Sequence, residues 1–379
     1  MKVTVHDSIA EIAADDWNRL GGTEYPFLRH EFLNLAEQTR CVSTEQGWTP
    51  RHLSISEQGR LRAAMPLYEK SHSWGEFVFD WAWANAYEQA GFRYYPKLVS
   101  AVPFTPAPSR RLLLADADDV EAAGQLIEAA VDLAKQSECS SLHVQFPTAH
   151  EIDLLESAGL LTRKDCQFHW RNRGYRTFDD FLASFTAAKR KKAKRDRRRA
   201  EENGIRFRRL KGNEMDDAHW SIVHALISRT FMQRGSLPYF NEEFFRSVAR
   251  QLPDNILVIL AEKGAHPVAA AVFFDSEQVL YGRYWGSDGH YDALHFETCY
   301  YQGIEYCIDT GKQIFEPGTQ GEHKISRGFS PETTWSAHWL AHPEFADAIS
   351  KYLEHESRHV ERYMEDVDSR SPYKSSNEQ

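Results

Sequence analysis

Nine of the eleven residues from Lys189 to Arg199 are Lys or Arg, with a single Asp among them, and no helix breaker interrupts the chain between Ala187 and Asn203. Periodic, apolar sequence lies on both sides, so this helix joins two folded halves instead of trailing from one. Asn203-Gly204 reads as its C-terminus, with a left-handed exit. The chain as a whole has a net charge of −10, and setting aside the segment's +8 leaves about −18 for everything else. Positive charge is therefore focused in one place, which calls for an anionic client unless the run is simply a solvated helix face.

The two flanks share an order of elements. Before the basic helix, periodicity predicts a strand over 2–5, helices over 15–19 and 29–39, strands over 52–56 and 60–68 with a turn at Gln58-Gly59, an aromatic run over 74–83 read as strand-like, a strand over 97–104, a helix over 119–136 and a strand over 141–146. After it come a strand over 205–210, helices over 217–234 and 241–251, three strands over 256–262, 268–275 and 279–286, a helix over 294–310 and a strand over 313–316. Turns at 264–266 and 275–278 join the three strands. An internal structural duplication explains the recurrence. The stretch 343–367 reads as a charged amphipathic helix, and 368–379 as a frayed polar tail.

Composition sets the outer bounds. With 379 residues, 42% hydrophobic and 13% aromatic, the chain can bury two cores. Its five cysteines are odd in number, widely spaced and without a CxxC pair, which argues against a disulfide framework or a structural zinc site and for a reducing, cytoplasmic setting. The N-terminus has no apolar signal region, and no window approaches ~18 uninterrupted apolar residues, so no membrane span is expected. Overall acidity disfavours duplex DNA as a partner.

The expected fold class is α/β (α+β), as two tandem GNAT-like domains. The order of elements in each half is that of a GNAT-type N-acyltransferase, in which a splayed strand pair opens a slot for an acyl donor. Three strings carry the resemblance further: FLASFTAAKRKKAKRDRRRAEENGIRFR (181–208), FEPGTQGEHKISRGFSPETTWSAHWL (315–340), and the pairing of GEHKISRGF with YYPKLVSAVPFTP and with the Arg-Gly and Pro-Tyr-Phe-Asn elements near 234–241. Together they resemble the FemAB-like N-acyltransferases, a peptidoglycan biosynthesis or recognition group, over about 48–354. The resemblance implies a first GNAT-like domain at 1–180, a basic connector at 181–204, a second GNAT-like domain at 205–342, a C-terminal helix at 343–367 and a flexible tail at 368–379. It also implies acyl transfer to a small-molecule or peptide amine, from acyl-CoA as co-substrate or from aminoacyl-tRNA held by the basic helix 189–199. A non-catalytic module that binds cell-wall precursors or RNA is the competing class.

Acyl transfer to nitrogen needs a polarised carbonyl, a donor for the oxyanion and a proton acceptor. Glu316, Glu322, His323 and Lys324 fall within nine residues, after a predicted core strand and around Gly318 and Gly321, where α/β folds place their sites. By resemblance, Lys324 stabilises the acyl carbonyl, and Gln320 lies beside it as a substrate contact. A surface role for Lys324 and an ordinary solvent-facing role for His323 are the bland readings. Arg283 and Trp285 project from one side of the strand 279–286 toward the substrate, while Arg234 and Tyr239 flank a helix junction. The loop after that strand, GSDGHYDALHF, places Asp288 and Asp292 where a pyrophosphate-binding GNAT loop presents backbone amides. In the first half Arg110 and Arg111 are the candidates to meet donor phosphates. Asp80, Trp81, Trp83, Tyr95 and Lys97 mix aromatic and polar character, as an amphiphile-binding cleft does, against core packing for any one of the rings. His338 and His342 lack a completing carboxylate, so no metal is expected. The absence of a nucleophile elbow or a P-loop disfavours a covalent hydrolase and an NTPase.

Overall fold

The computed structural model describes residues 2–319 and 321–374. The first elements in chain order are β1 (Lys2–His6), α1 (Ala14–Gly21), α2 (His30–Gln38), β2 (Trp48–Pro50), β3 (His52–Glu57), β4 (Arg60–Met65) and β5 (Tyr68–Lys70). They are followed by α3 (Trp81–Gln89), β6 (Lys97–Ser100), β7 (Leu113–Leu114), α4 (Val120–Gln136), β8 (Ser141–Gln145), α5 (Ala149–Ser157) and β9 (Leu161–Arg171). The chain continues through α6 (Phe178–Ala183), α7 (Ala187–Glu202), β10 (Ile205–Lys211), α8 (Asp217–Gln233), α9 (Glu242–Gln251), β11 (Ile256–Lys263), β12 (His266–Asp275) and β13 (Val279–Ser287). It ends with α10 (Leu294–Phe296), a π-helical turn (Glu297–Tyr301), α11 (Gln302–Asp309), β14 (Ile314–Glu316), a 3-10 turn (Glu322–Arg327), β15 (Ser330–Leu340) and α12 (Pro343–Ser369).

Two compact units result, one made of 1–166 with 333–362 and the other of 167–332 with 363–379. The division therefore departs from the linear one expected above. The chain changes unit inside β9, inside β15 and inside α12, so a late strand returns to the first unit and the basic helix α7 belongs wholly to the second.

In the first unit, β1, β3, β4 and β7 form a four-stranded antiparallel sheet, and β2, β5, β6, β8 and β15 follow one another in a second array. Gln58 and Gly59, both with positive φ, make the β3–β4 turn, as a two-residue hairpin with right-handed twist requires. α4 starts where Asp119 accepts from the Ala122 amide and buries Ala122, Ala123, Leu126, Ile127, Ala130 and Ala134 against Leu53, Ile55, Met65, Leu98, Leu142 and Val144.

Strand alternation turns the next residues the other way, and there the array is polar and buried. Lys97 donates to Ser73 (2.8 Å), Glu76 (2.9 Å) and Asp80. Gln145 donates to Glu76 (2.6 Å), and the Nδ1 atoms of His143 and His338 lie 2.6 Å apart. Burial pushes His143 down to about 3 and His338 well below the usual range, so this pair is neutral. The aromatic run 74–83 is not a strand: 74–80 lie outside any helix or strand, and α3 begins at Trp81, with Trp83 and Tyr87, four residues apart, as its two buried residues.

In the second unit the strand order is β10-β11-β12-β13-β14-β9. β10 to β13 form an antiparallel meander whose strands bury near-continuous apolar runs such as Ile256–Ala261, and α8 packs on them through Trp220, Val223, Leu226 and Ile227. Gly286 sits under α8, where a Cβ would overlap the Leu226 backbone. Among the described residues no helix is long and apolar enough to cross a membrane.

Candidate active site

β13 and β14 run parallel for only three residue pairs, Val279 with Ile314, Leu280 with Phe315 and Tyr281 with Glu316. β14 then stops, while β13 continues to Ser287 alongside β12, and the two strands part at Glu316. On the other edge of β13 the register slips at Val272/Phe273, so that Tyr284 opposes Val272, Gly282 opposes Phe273 and Arg283 is left over as a bulge. Bulges re-aim a side chain at a site. Here the Arg283 guanidinium, 4% exposed, lies 3.6 Å from Glu316 Oε2 and donates to the Gly282 carbonyl at 2.9 Å. Past the bulge, Tyr284 packs near Phe231 and Phe245, while Trp285 meets His295 with ring centroids 5.2 Å apart.

The 3-10 turn follows β14 and is bounded by Gly321 (φ 126°) and Gly328 (φ 92°), conformations that glycine adopts without a Cβ clash. The turn places Lys324 inward. Its ammonium donates to the Gly318 carbonyl at 2.7 Å and the Thr319 carbonyl at 2.9 Å, which occupies two of its three protons. Burial lowers Lys324 to about 7, with the nearby Arg283 charge adding to the effect. Burial raises Glu316 to about 7 against the pull of Arg283. Both groups thus titrate near neutrality for the same reason: the notch excludes water, and the charged form of each is the one penalised.

The second ring of contacts holds residues that sequence reading missed. His169 of β9, pushed down to about 3 by burial and by Arg171, Lys324 and Arg283, is neutral. The Cys299 thiol sits in the π-helical turn, raised by burial and partly relieved by Lys324. A π-bulge inside a helix often marks a functional site, and nothing in the local sequence announces this one. His323 bonds Tyr300 through Nε2 at 2.8 Å and is lowered by burial and by Lys324 and Arg327. Arg327 donates to the His323 carbonyl at 2.6 Å and stacks 3.3 Å above the Phe296 ring.

The remaining candidates scatter. Glu322 is half-exposed and pairs with Arg370 at 2.8 Å, and Gln320 lies outside the described residues. Arg234 caps α8 and contributes to the low pKa of His295. Tyr239 packs edge-on against Phe231 at 5.3 Å. In the first unit, Asp80 and Lys97 belong to the closed ion network described above and Trp83 packs on His338 at 4.8 Å, so these three form a buried support instead of an open lining. Trp81 remains 39% exposed, edge-on to Trp74 at 5.4 Å, and Tyr95 bonds Ser73 at 2.8 Å.

Arg110 reaches the Gly21 carbonyl at 3.2 Å beside an open pocket of about 440 Å³. Arg111 is fully buried, its guanidinium donating to the carbonyls of Gln145 (2.7 Å), Ser109 (3.1 Å) and Ala107 (3.2 Å). That corrects the expectation that Arg111 meets a phosphate, because its donors are already spent inside the core.

The basic helix is partly neutralised from within. Arg197 pairs with Glu297 and Glu305 at 3.1 Å, Arg199 with Asp292 at 2.8 Å and Lys194 with Asp179 at 3.1 Å. Ala193, Asp196 and Ala200 form its buried face, and Lys191, Lys192 and Arg195 point outward, exposed. Among the described residues no group of three or more His, Cys, Asp or Glu could hold a metal ion.

A splayed parallel strand pair beside a bulged central strand, in a chain built of two α/β units, defines a tandem GNAT-type fold. The chain belongs to the FemAB-like family, described as peptidoglycan biosynthesis/recognition, which matches residues 8–375. The structure of FemX is similar over 92% of this chain and 100% of that one, at 12% identity and a TM-score of 0.55. L-PGS from Bacillus licheniformis is similar over 88% of this chain and 98% of that one, at 12% identity and a TM-score of 0.50. These likenesses establish the fold, and the family adds transferase chemistry to it. No curated protein sequence matches the chain.

Proposed function

We propose that the protein is an N-acyltransferase that moves an acyl group from a phosphate-bearing carrier to an amine, at the notch between β13 and β14. The observation that carries this reading is Arg283, placed where those strands part, which lies 3.6 Å from Glu316 and lowers Lys324, with burial shifting both Lys324 and Glu316 to about 7. In the reaction the amine nitrogen attacks the acyl carbonyl carbon, and the third proton of the Lys324 ammonium faces the developing oxyanion. Glu316 as carboxylate takes the proton the amine sheds. The carbon–oxygen or carbon–sulfur bond then breaks, and the carrier leaves with its electron pair. Arg283 holds Glu316 in place, and Trp285 offers an apolar wall to the acceptor. The family description makes an amine of a cell-wall peptide the acceptor of first choice.

Acyl-CoA is the default donor of such a fold. Two features favour the alternative, aminoacyl-tRNA. The turn before α10 carries Asp292, already paired to Arg199, and the turn before α4 carries Asp116, Asp118 and Asp119, so the place where a pyrophosphate would approach helix amides is acidic in both units. The outward cations of α7, by contrast, suit a polyanion whose binding weakens steeply with salt. Thermal-shift titration with acetyl-CoA, longer acyl-CoAs and charged tRNA separates the donors, since a ligand selective for the native state raises its melting temperature. If none of them stabilises the protein and Lys324→Ala leaves amide formation intact, the reading falls.

A further inference from the structure

Resting on the reading that Lys324 works in the notch, we propose that the C-terminal segment 370–374 is a latch that positions the Lys324-bearing turn, with Tyr373 and Arg370 as its positioning residues. The segment engages the turn at both ends. Arg370 donates to Glu322, the first residue of the turn, at 2.8 Å, and the Tyr373 hydroxyl donates to the carbonyl of Gly328, which closes it, at 2.7 Å.

Tyr373 is seated as a built contact. Its ring packs edge-on against Phe185 with centroids 5.3 Å apart, and the Arg173 guanidinium lies 4.1 Å from its centroid. Residue 373 also bridges to Phe185 in antiparallel fashion. Thr186 N donates to the Pro372 carbonyl and Lys374 N to the Ser184 carbonyl, both at 3.0 Å. Gly328 leaves room for the arrangement, since a Cβ there would come within 2.9 Å of both the Tyr373 hydroxyl and the Phe181 ring.

The turn needs such help. A 3-10 segment has poor hydrogen-bond geometry and seldom holds itself beyond a few residues. Its own closing bonds are Lys324 N to Gly321 O at 3.0 Å, Gly328 N to Ile325 O at 3.0 Å and Phe329 N to Lys324 O at 3.4 Å. Whether the Lys324 ammonium reaches the Gly318 and Thr319 carbonyls depends on where the turn sits. A segment whose composition reads as a loose tail therefore sets the position of the group proposed to polarise the acyl carbonyl.

The test uses the full-length protein and two readouts that need no substrate. Hydrogen exchange followed by mass spectrometry reports on the peptide 321–329, and competitive labelling with acetic anhydride across a pH series reports the titration midpoint of Lys324. Tyr373→Phe keeps the ring and removes one hydrogen bond, so exchange in 321–329 should quicken roughly fivefold while the rest of the chain is unchanged. Tyr373→Ala should quicken it further and move the Lys324 midpoint upward from about 7 toward the ordinary lysine range, and Arg370→Ala should act in the same direction.

Unchanged exchange in 321–329 and an unmoved midpoint in both tyrosine variants would overturn the latch, as would acceleration spread evenly over the chain. Loosening of the turn in Tyr373→Ala, together with intact amide formation in Lys324→Ala, would support the latch and overturn the catalytic reading. The reverse pair of results would leave the catalytic reading standing and remove the latch.

Discussion

At Lys324 and Glu316 the cost of burial shows up as titration behaviour, and the signs differ. A lysine whose pKa is lowered from 10.5 to about 7 in the fold penalises the native state most below pH 7, where it must be charged, and the penalty fades as the pH rises from 7 to 10.5. Lys324→Met should therefore raise urea stability at pH 6 by more than at pH 9, on the order of 1–3 kcal/mol, while lowering amide-forming turnover about 100-fold or more. A carboxyl raised from 4.5 to about 7 destabilises the fold as the pH climbs through that interval. Glu316→Gln should remove a loss on the order of 2 kcal/mol between pH 5 and pH 8, read from urea melts at the two pH values. It should also remove the acid limb of a bell-shaped kcat/KM profile centred near neutrality. The lysine in this pair was legible from its motif and the glutamate from its place at a strand end. His169 and Cys299 were not, because β9 brings His169 to the notch from more than a hundred residues before Lys324, and the π-helical turn that seats Cys299 leaves no mark in the local sequence.

Among the elements, β13 and α7 carry the most specific expectations. Gly286 faces α8 so closely that Gly286→Ala should destabilise the protein by roughly 1–3 kcal/mol through overpacking, a shift that a denaturant midpoint would register. A wild-type midpoint would show that α8 yields. For α7 the question is which charges remain for a partner once Arg197, Arg199 and Lys194 are paired inside the unit. Reversing Lys191, Lys192 and Arg195 to Glu should flatten the salt dependence of binding to charged tRNA by roughly three units of logarithmic slope, with little change in melting temperature. Equal slopes for mutant and wild type would separate the helix from any polyanion. The basic helix and the meander β10 to β13 were readable from charge spacing and from short apolar runs with turns between them. The run 74–83 was misread as strand-like because its dense rings hide that 74–80 is loop and that α3 starts only at Trp81, and α5, α6 and β9 were not anticipated: β9 opens with Leu-Thr-Arg-Lys-Asp, which shows no alternation.

For the molecule as a whole, the exchange of segments between units has a direct consequence. β15 pairs with β8 along five residues, from Ser336 with Gln145 to Leu340 with Ser141, and it brings His338 to His143. A fragment ending at 166 exposes the β8 edge and leaves His143 without that partner. It should be rapidly cleaved by protease, whereas the same fragment with 333–362 attached through a flexible linker should resist cleavage and melt cooperatively. Equal resistance of the two fragments would show that 333–362 is dispensable to the first unit.

The amino-acid sequence by itself determined the class: two α/β halves, a focused cationic helix, and a glycine-flanked lysine after a core strand, all of which follow from spacing and charge along the chain. Tertiary structure decided which charges are available and which are already satisfied. Arg111 and Lys97 look in sequence like ligand contacts yet are buried against carbonyls and carboxylates, while Tyr373, in a stretch that reads as loose tail, is seated beneath the Lys324 turn. The physical reason is that burial and partnering are set by contacts between segments far apart in the chain, and a cation's chemistry depends on those contacts more than on its neighbours in sequence.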